Sequence, residues 1–405
     1  MSQAPHTAPS GQGRISSMDA LRALAMFLGV GLHAAMPYTY DHFEGLYHDP
    51  YYTDISYDYI FFFIHIFRMQ LFYVIAGFFF RLLFLKIGPR PFIRHRAQRI
   101  LIPFVVGLFT ILPLTYLPAA VARVSEAGLP WNGATVSAVL KDIFTWRGPL
   151  HLWFLYYLSI LYAVGLVAYK VIGSDAAKRL LPLKFFHGDF SPGGILVLMA
   201  CGSYVSLWMF SSPFVEYAPG LMPKVSFLTY YGIFFLAGWV LHHHMRRIFP
   251  LLKRYALPFT LAGVVVGSVV GWVKIAPEAP EVNRALLQAG VTTATICLVT
   301  GVAGVFLRWV NAERPAVRYL SDASYWVYLV HVGLLGAVQM YIGRFDFWGP
   351  AKYAIALGVT IAVSLATYQW WVRYTKIGFY LHGPRKRPAV GSLPKSDVHG
   401  RQPAT

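Results

Sequence analysis

Arg22 and His33 stand eleven residues apart in the first long apolar run of the chain. On a helix that spacing amounts to about 1100°, some 20° past three full turns, so both side chains project from one face, about 16 Å apart along the axis. Such a pair can divide a group transfer between its two ends. The guanidinium holds an anionic group, and the neutral imidazole takes a proton from a hydroxyl. Structural readings stand beside this one: Arg22, paired with Asp19 at i, i+3, is a snorkelling cation, and His33 hydrogen-bonds a neighbouring helix. The second run, Phe61-Phe62-Phe63-Ile64-His65-Ile66-Phe67-Arg68-Met69-Gln70, adds His65 and Arg68, again on one face, with Phe72 next on the stripe. Arg68 falls near the middle of its run, too deep to snorkel. A charge there costs about 2.5–3.5 kcal/mol on insertion scales, and its uses are to stabilise an oxyanion or to bind a carboxylate bidentately.

Weaker candidates lie further along. His151 and Trp153 open the fourth run, where a Trp is often only an interface anchor. The ninth run carries Ser321, Asp322, Ser324, Tyr325, Tyr328 and His331. Arg94, Arg96 and Arg99 crowd the connection after the second run, close to the Arg22 end of the first. His242-His243-His244 precede Met245-Arg246-Arg247 at a helix end; metal binding there is conceivable, but a solvated cationic cap is favoured, and no metal site is expected. Asp and Glu are nearly absent from the apolar runs, which argues against a proton relay or cation path built on carboxylates. Together these residues describe one site with a basic entrance on one side of a membrane and histidines plus one arginine in the other half.

The elements that must hold such a site are membrane helices. Of 405 residues, 57% are hydrophobic and only 13% charged, too few charges to cover a water-facing surface, for which about 25% is usual. Apolar stretches of about 20 residues recur, the length that crosses about 30 Å of hydrocarbon as a helix. A membrane barrel would show roughly ten-residue alternating segments instead. Spans are predicted near 18–37, 57–85, 100–122, 151–172, 193–211, 226–242, 256–275, 287–308, 320–342 and 351–373. With that division, 24 of the 35 Lys and Arg fall in the tails and alternate connections on one side and 8 on the other. The positive-inside rule then puts both termini in the cytoplasm. The net charge of +18 is explained by that asymmetry and not by nucleic-acid binding. Cys201 and Cys297 lie in apolar runs, with no disulfide or zinc pattern. The first run carries Asp19 and Arg22 without a clean cleavage site and reads as a retained span. The expected organisation is a disordered tail over 1–17, a transmembrane domain over 18–375 and a basic, largely disordered tail over 376–405.

Several blocks resemble acyltransferase family 3. The Arg-x10-His pair, Arg22 to His33, matches that family's first-span signature. The resemblance continues through Phe67-Arg68-Met69-Gln70-Leu71-Phe72-Tyr73-Val74-Ile75-Ala76-Gly77 with His65 upstream, Arg96-Ala97-Gln98-Arg99-Ile100-Leu101-Ile102-Pro103, His151-Leu152-Trp153-Phe154-Leu155, and Ala323-Ser324-Tyr325 through Tyr328-Leu329-Val330-His331, in the family's order. It is strongest to members that succinylate osmoregulated periplasmic glucans. The resemblance implies an all-α polytopic protein of the bacterial inner membrane with ten core helices. It implies acyl-coenzyme A, succinyl-coenzyme A foremost, as a cytoplasmic co-substrate with no permanently bound cofactor, and a periplasmic glucan or other glycan as acceptor. Under it His33 is the catalytic base and Arg22 supports donor binding or site structure; our own reading of the residues adds Arg68 and His65 as catalytic partners and Asp19, Gln70, His151, Trp153, Ser324, Tyr325 and His331 as groups that contact substrate or shape its site. Arg94, Arg96 and Arg99 then meet the donor phosphates. Ala76 stands where many members have Ser. Two other readings remain open: an O-acetyltransferase of another envelope polysaccharide, and a transporter, against which the lack of visible repeats counts. The oligomeric state is open.

Overall fold

The structure is a computed structural model that describes residues 16–40, 47–172, 191–215, 220–310, 314–383 and 385. Among these it contains helices and connections but no strand. The helices are α1 (Ser16–Ala35), α2 (Ile55–Ile87), α3 (Pro89–Arg96), α4 (Ile102–Phe109), α5 (Ile111–Glu126), α6 (Gly133–Ile143), α7 (Trp153–Ile172), α8 (Pro192–Leu207), α9 (Val225–His243), α10 (Met245–Arg254), α11 (Ala256–Ile275), α12 (Arg284–Trp309), α13 (Pro315–Ile342), α14 (Gly349–Thr367) and α15 (Lys376–His382). Nine helical stretches among the described residues are long and apolar enough to cross a membrane. The chain is therefore an all-α, multi-span membrane protein.

Two spans differ from the expectation. The third begins earlier, in a helical path from Pro89 to Glu126. It is bent by a π-turn at Ala97–Leu101 and by a break at Thr110, where φ is −121° and ψ −62°. Proline explains the irregularity: Pro103, Pro113 and Pro118 each remove a backbone donor from the ladder. The expected fifth span is the 16-residue α8, about 24 Å long at 1.5 Å per residue, short of the hydrocarbon thickness. The chain turns at Trp208 before polar Ser211 and Ser212 can extend the helix.

The site is carried by α1, α2 and α13, which pack on one another through α1. Their placement depends on close backbone approaches. A Cβ on Gly77 of α2 would collide with the Phe235 carbonyl, and one on Gly238 of α9 with the Val74 carbonyl. In lipid, where apolar contact alone does not drive association, small residues that let helices meet are what holds such a pair. Beyond the His33 end of α1, Lys352 at the start of α14 is wholly buried against Asp49 of the connection between α1 and α2, with both carboxylate oxygens 2.9–3.0 Å from Nζ. Asp49 also accepts the backbone N–H groups of Tyr51 and Tyr52, each at 3.0 Å. One buried ion pair thus pins the loop that follows α1.

The expected tails fall mostly outside the described residues, as do Asp41 and Glu44 in the connection between α1 and α2 and residues 173–190. The part of the C-terminal tail that is described is ordered. Residues 376–382 form α15, and Arg385 chelates Asp322 of α13 through Nε and Nη2 at 2.7–2.9 Å.

Candidate active site

Arg22, Gly29 and His33 occupy one stripe of α1, at i, i+7 and i+11. Gly29 is the opening for Arg68. A Cβ there would fall on Nη1 of Arg68, with Cζ 3.2 Å away, so the guanidinium of α2 lies in the space that any other side chain on α1 would fill. Among the described residues Arg68 makes no hydrogen bond or ion pair, and its Nε is buried without a partner. Tyr231 and Tyr328 are its polar neighbours. An arginine at membrane depth with no carboxylate is expensive to keep and is arranged to receive an oxygen from elsewhere.

One turn further along α1, His33 meets a second imidazole. The His33 and His331 rings are 5.3 Å apart, and His331 in turn lies 5.4 Å from His151. The partners of each ring fix its tautomer, because carbonyl oxygen and thioether sulfur only accept. His331 Nδ1–H donates to the Tyr328 carbonyl at 2.7 Å. His151 Nε2–H donates to the Leu329 carbonyl at 3.0 Å. His33 Nδ1–H donates to the Met36 sulfur at 3.2 Å. Each neutral ring therefore keeps a lone pair on its other nitrogen. Those of His331 and His151 are buried without partners, while His33 is only half-buried. The imidazole lone pairs can accept a hydroxyl proton, and the guanidinium of Arg68, within electrostatic reach of His33 and His331, can hold a negative oxygen.

His65 also lies within electrostatic reach of His33, but its Nε2–H is engaged by the Val215 carbonyl at 3.0 Å and its ring stacks on Phe61. Gln70 is placed elsewhere. It is fully buried and donates to Tyr230 at 3.1 Å, in a network that ties α2 to α9. Trp153 packs among Tyr157, Phe227 and Tyr231, and Ser324 donates back to the Ser321 carbonyl within its own helix. Tyr328 closes the back of the site by donating to the His151 carbonyl at 2.6 Å.

A second cluster gathers at the other end of the α1 stripe. Arg22 pairs with Asp19 at 3.5 Å, the i, i+3 partner expected of it. Arg96 crosses from α3 to donate to the Phe79 carbonyl and lies over the Tyr162 ring. Arg99 is within electrostatic reach of Arg96, Arg22, Arg385 and Asp322. Tyr325 faces this cluster, its hydroxyl buried without a partner. Arg94 is exposed on α3 and stays apart. In the histidine run, His243 takes a 2.7 Å hydrogen bond from Arg81 and His242 packs on Phe78.

A strip of basic residues at one end of a helix face, and imidazoles with an uncompensated guanidinium at the other, is the architecture that the sequence blocks point to. The acyltransferase domain of acyltransferase family 3 matches residues 15–369. The chain belongs to acyltransferase family 3. As a family 3 acyltransferase it is similar to proteins named "Glucans biosynthesis protein C". That of Escherichia coli O81 (strain ED1a) is 23% identical over 90% of this chain and 94% of its own length. That of Salmonella paratyphi A is 25% identical over 92% and 97%, and that of Salmonella typhimurium (strain LT2) 26% identical over 93% and 97%. No solved structure matches the chain. The family match takes in every residue of both clusters except Arg385.

Sequence reasoning passes over four residues of this acyltransferase. Gly29 has a signal, since it lies on the Arg22–His33 face one turn before His33. Lys352 and Arg385 read as loop and tail charges, and Tyr231 has no signal among so many aromatics.

Proposed function

We propose that this acyltransferase moves an acyl group, succinyl in our reading, from acyl-coenzyme A on the cytoplasmic side to a hydroxyl of a periplasmic glucan. The observation that carries it is Arg68, an intramembrane guanidinium without a counter-charge among the described residues, seated against Gly29 beside His33. In this reading both termini are cytoplasmic and the membrane is the bacterial inner membrane. The uneven distribution of Lys and Arg supports that orientation, and the relatives' name supports a glucan.

The donor's phosphates meet Arg22, Arg96 and Arg99, and its thioester reaches the His33 end of the stripe. His33 Nε2 takes the proton of the acceptor hydroxyl as the sugar oxygen bonds to the thioester carbonyl carbon. Negative charge develops on the carbonyl oxygen and is met by Arg68. Collapse breaks the carbon–sulfur bond, and the His33 imidazolium returns its proton to the departing thiolate. The ester stays on the sugar and coenzyme A leaves as the thiol. The distal carboxylate of a succinyl group is a second candidate for Arg68, held bidentately.

The test is thiol release by the purified protein from succinyl- and acetyl-coenzyme A, with and without β-glucan, beside His33→Ala. Removal of a general base costs about 10²–10⁴ in rate. Acceptor-dependent release that the variant loses is expected. Near-normal turnover by the variant would overturn the assignment of the base, and no release from either donor with any glucan would overturn the reaction.

A further inference from the structure

A cavity lies away from both clusters, between α8, α9, α10, α11 and α12. It measures about 390 Å³, and its wall includes Ile195, Met199, Leu241, Leu252, Phe259 and Ala303. Thr300 also lines it, but its hydroxyl already donates to the Ile296 carbonyl. The wall therefore offers a ligand almost nothing but hydrocarbon, and its occupant is a chain with no polar groups along its length. The mouth is open: Gly193, Leu251 and Tyr255 on its rim are exposed.

The rim is basic. α10 reads Met-Arg-Arg-Ile-Phe-Pro-Leu-Leu-Lys-Arg, without an acidic residue. Met245, Ile248, Phe249 and Leu252 pack inward on the core, as in a helix lying at a membrane interface. Leu251, on the rim, has Arg247 four residues before it and Arg254 three after it, so the three share a stripe. Both arginines are exposed. The Arg254 guanidinium stands 5.4 Å over the ring of Tyr255, itself part of the wall. Leu251 thus borders the slot on one side and the stripe of two cations on the other, with Arg254 beside the wall at Tyr255.

We infer that this cavity binds one acyl chain of an anionic phospholipid, with the lipid phosphate held between Arg247 and Arg254. Hydrophobicity alone gives no preference here, because an acyl chain leaving the bilayer was already in hydrocarbon. The selectivity of the site is electrostatic: it lies in the headgroup charge and the two arginines, with the slot fixing where the tail goes. The same charge pattern with a flat apolar surface would hold anionic lipid only as a diffuse surface layer.

The full-length protein, in phosphatidylcholine vesicles doped with phosphatidylglycerol or phosphatidylcholine bearing a photoactivatable diazirine in one acyl chain, is irradiated and its adducts are mapped by mass spectrometry. The phosphatidylglycerol probe should label α8, α10 and α12 at the cavity wall, and the phosphatidylcholine probe should label it about fivefold less or weaker still. Arg247→Gln with Arg254→Gln should bring the two probes level, and Met199→Trp, which fills the slot, should remove the wall adducts for both. The arginine variants change only exposed side chains, so they test the site even if Met199→Trp does not fold. Equal labelling by both probes, adducts spread over all lipid-facing helices, or wall labelling by phosphatidylglycerol that persists undiminished in the double arginine variant would each overturn the site.

Discussion

Gly29→Ala tests whether the placement of Arg68 serves the chemistry. The added methyl would land on Nη1, with Cζ at 3.2 Å, inside the 3.4 Å at which ordinary van der Waals contact begins. α1 cannot yield easily, since it is packed on α2 and α13. The guanidinium is the far end of a flexible side chain and moves instead. A retreat of about 1.5 Å restores contact, and misplacement of about 1 Å already costs about 10²-fold in rate, or about 2.7 kcal/mol of transition-state stabilisation. Stability should move little or upward, because Ala is favoured over Gly in a helix interior by about 1 kcal/mol. The assay is acyl transfer under saturating donor and acceptor, with thermal unfolding of the same preparation in detergent. The expected outcome is a loss in kcat of about 10²-fold at an unchanged or higher Tm. Full activity would mean that Arg68 is not held in its working position by this contact, and a fall in Tm matching the loss of activity would mean that the contact is merely structural.

His331→Phe keeps a ring of similar size and deletes the Nε2 lone pair. It should lower kcat by about 10²-fold with a change in stability of about 1 kcal/mol for the lost Tyr328 hydrogen bond, and wild-type kcat would remove His331 from the reaction. Lys352→Met leaves a buried Asp49 without its cation and should destabilise the protein by about 3–5 kcal/mol, read as thermal unfolding. Adding Asp49→Leu should not restore it, since the Tyr51 and Tyr52 N–H groups then lose their acceptor; a double variant as stable as the parent would contradict this account of the loop. The α15 helix should loosen in acid. Burial holds the His382 imidazole below its ordinary 6.5, opposed by the charge of Asp322 and aided by those of Arg385 and Arg99. The undocked segment then binds the proton more readily, so docking is complete above 6.5 and is lost as pH falls toward the depressed docked value. Hydrogen exchange over 376–383 at pH 7.5 and 5.5 reads this directly, and equal protection at both would refute it, as would an unchanged acid response in His382→Gln.

The candidate site was partly legible in the sequence because burying a polar group in a membrane has a cost that can be read from one residue and its apolar neighbours. Arg22, His33, Arg68 and His331 each interrupt an apolar run, and the helical period alone puts Arg22 and His33 on one face. The partners of those groups are a property of two helices in register, which no local pattern encodes. His151 reaches the Leu329 carbonyl across 178 positions of chain, and nothing near either residue announces the other. Gly29 shows the same limit in its sharpest form. Within α1 it is only a weak helix former, and it becomes a site residue because Arg68 of another helix occupies the volume that it lacks. Lys352 shows the converse. A count of basic residues treats it as a mark on the outer side, whereas wholly buried against Asp49 it is part of the framework over the His33 end of the site. Gln70 adds a third variation: its place two residues from Arg68 in a family block suggests a substrate contact, but positions two apart on a helix point about 200° apart, and its amide faces Tyr230 while the guanidinium faces Gly29. Polar residues in this membrane protein thus declare themselves singly, and which of them act together depends on the close approaches of α1, α2 and α9 that glycine permits.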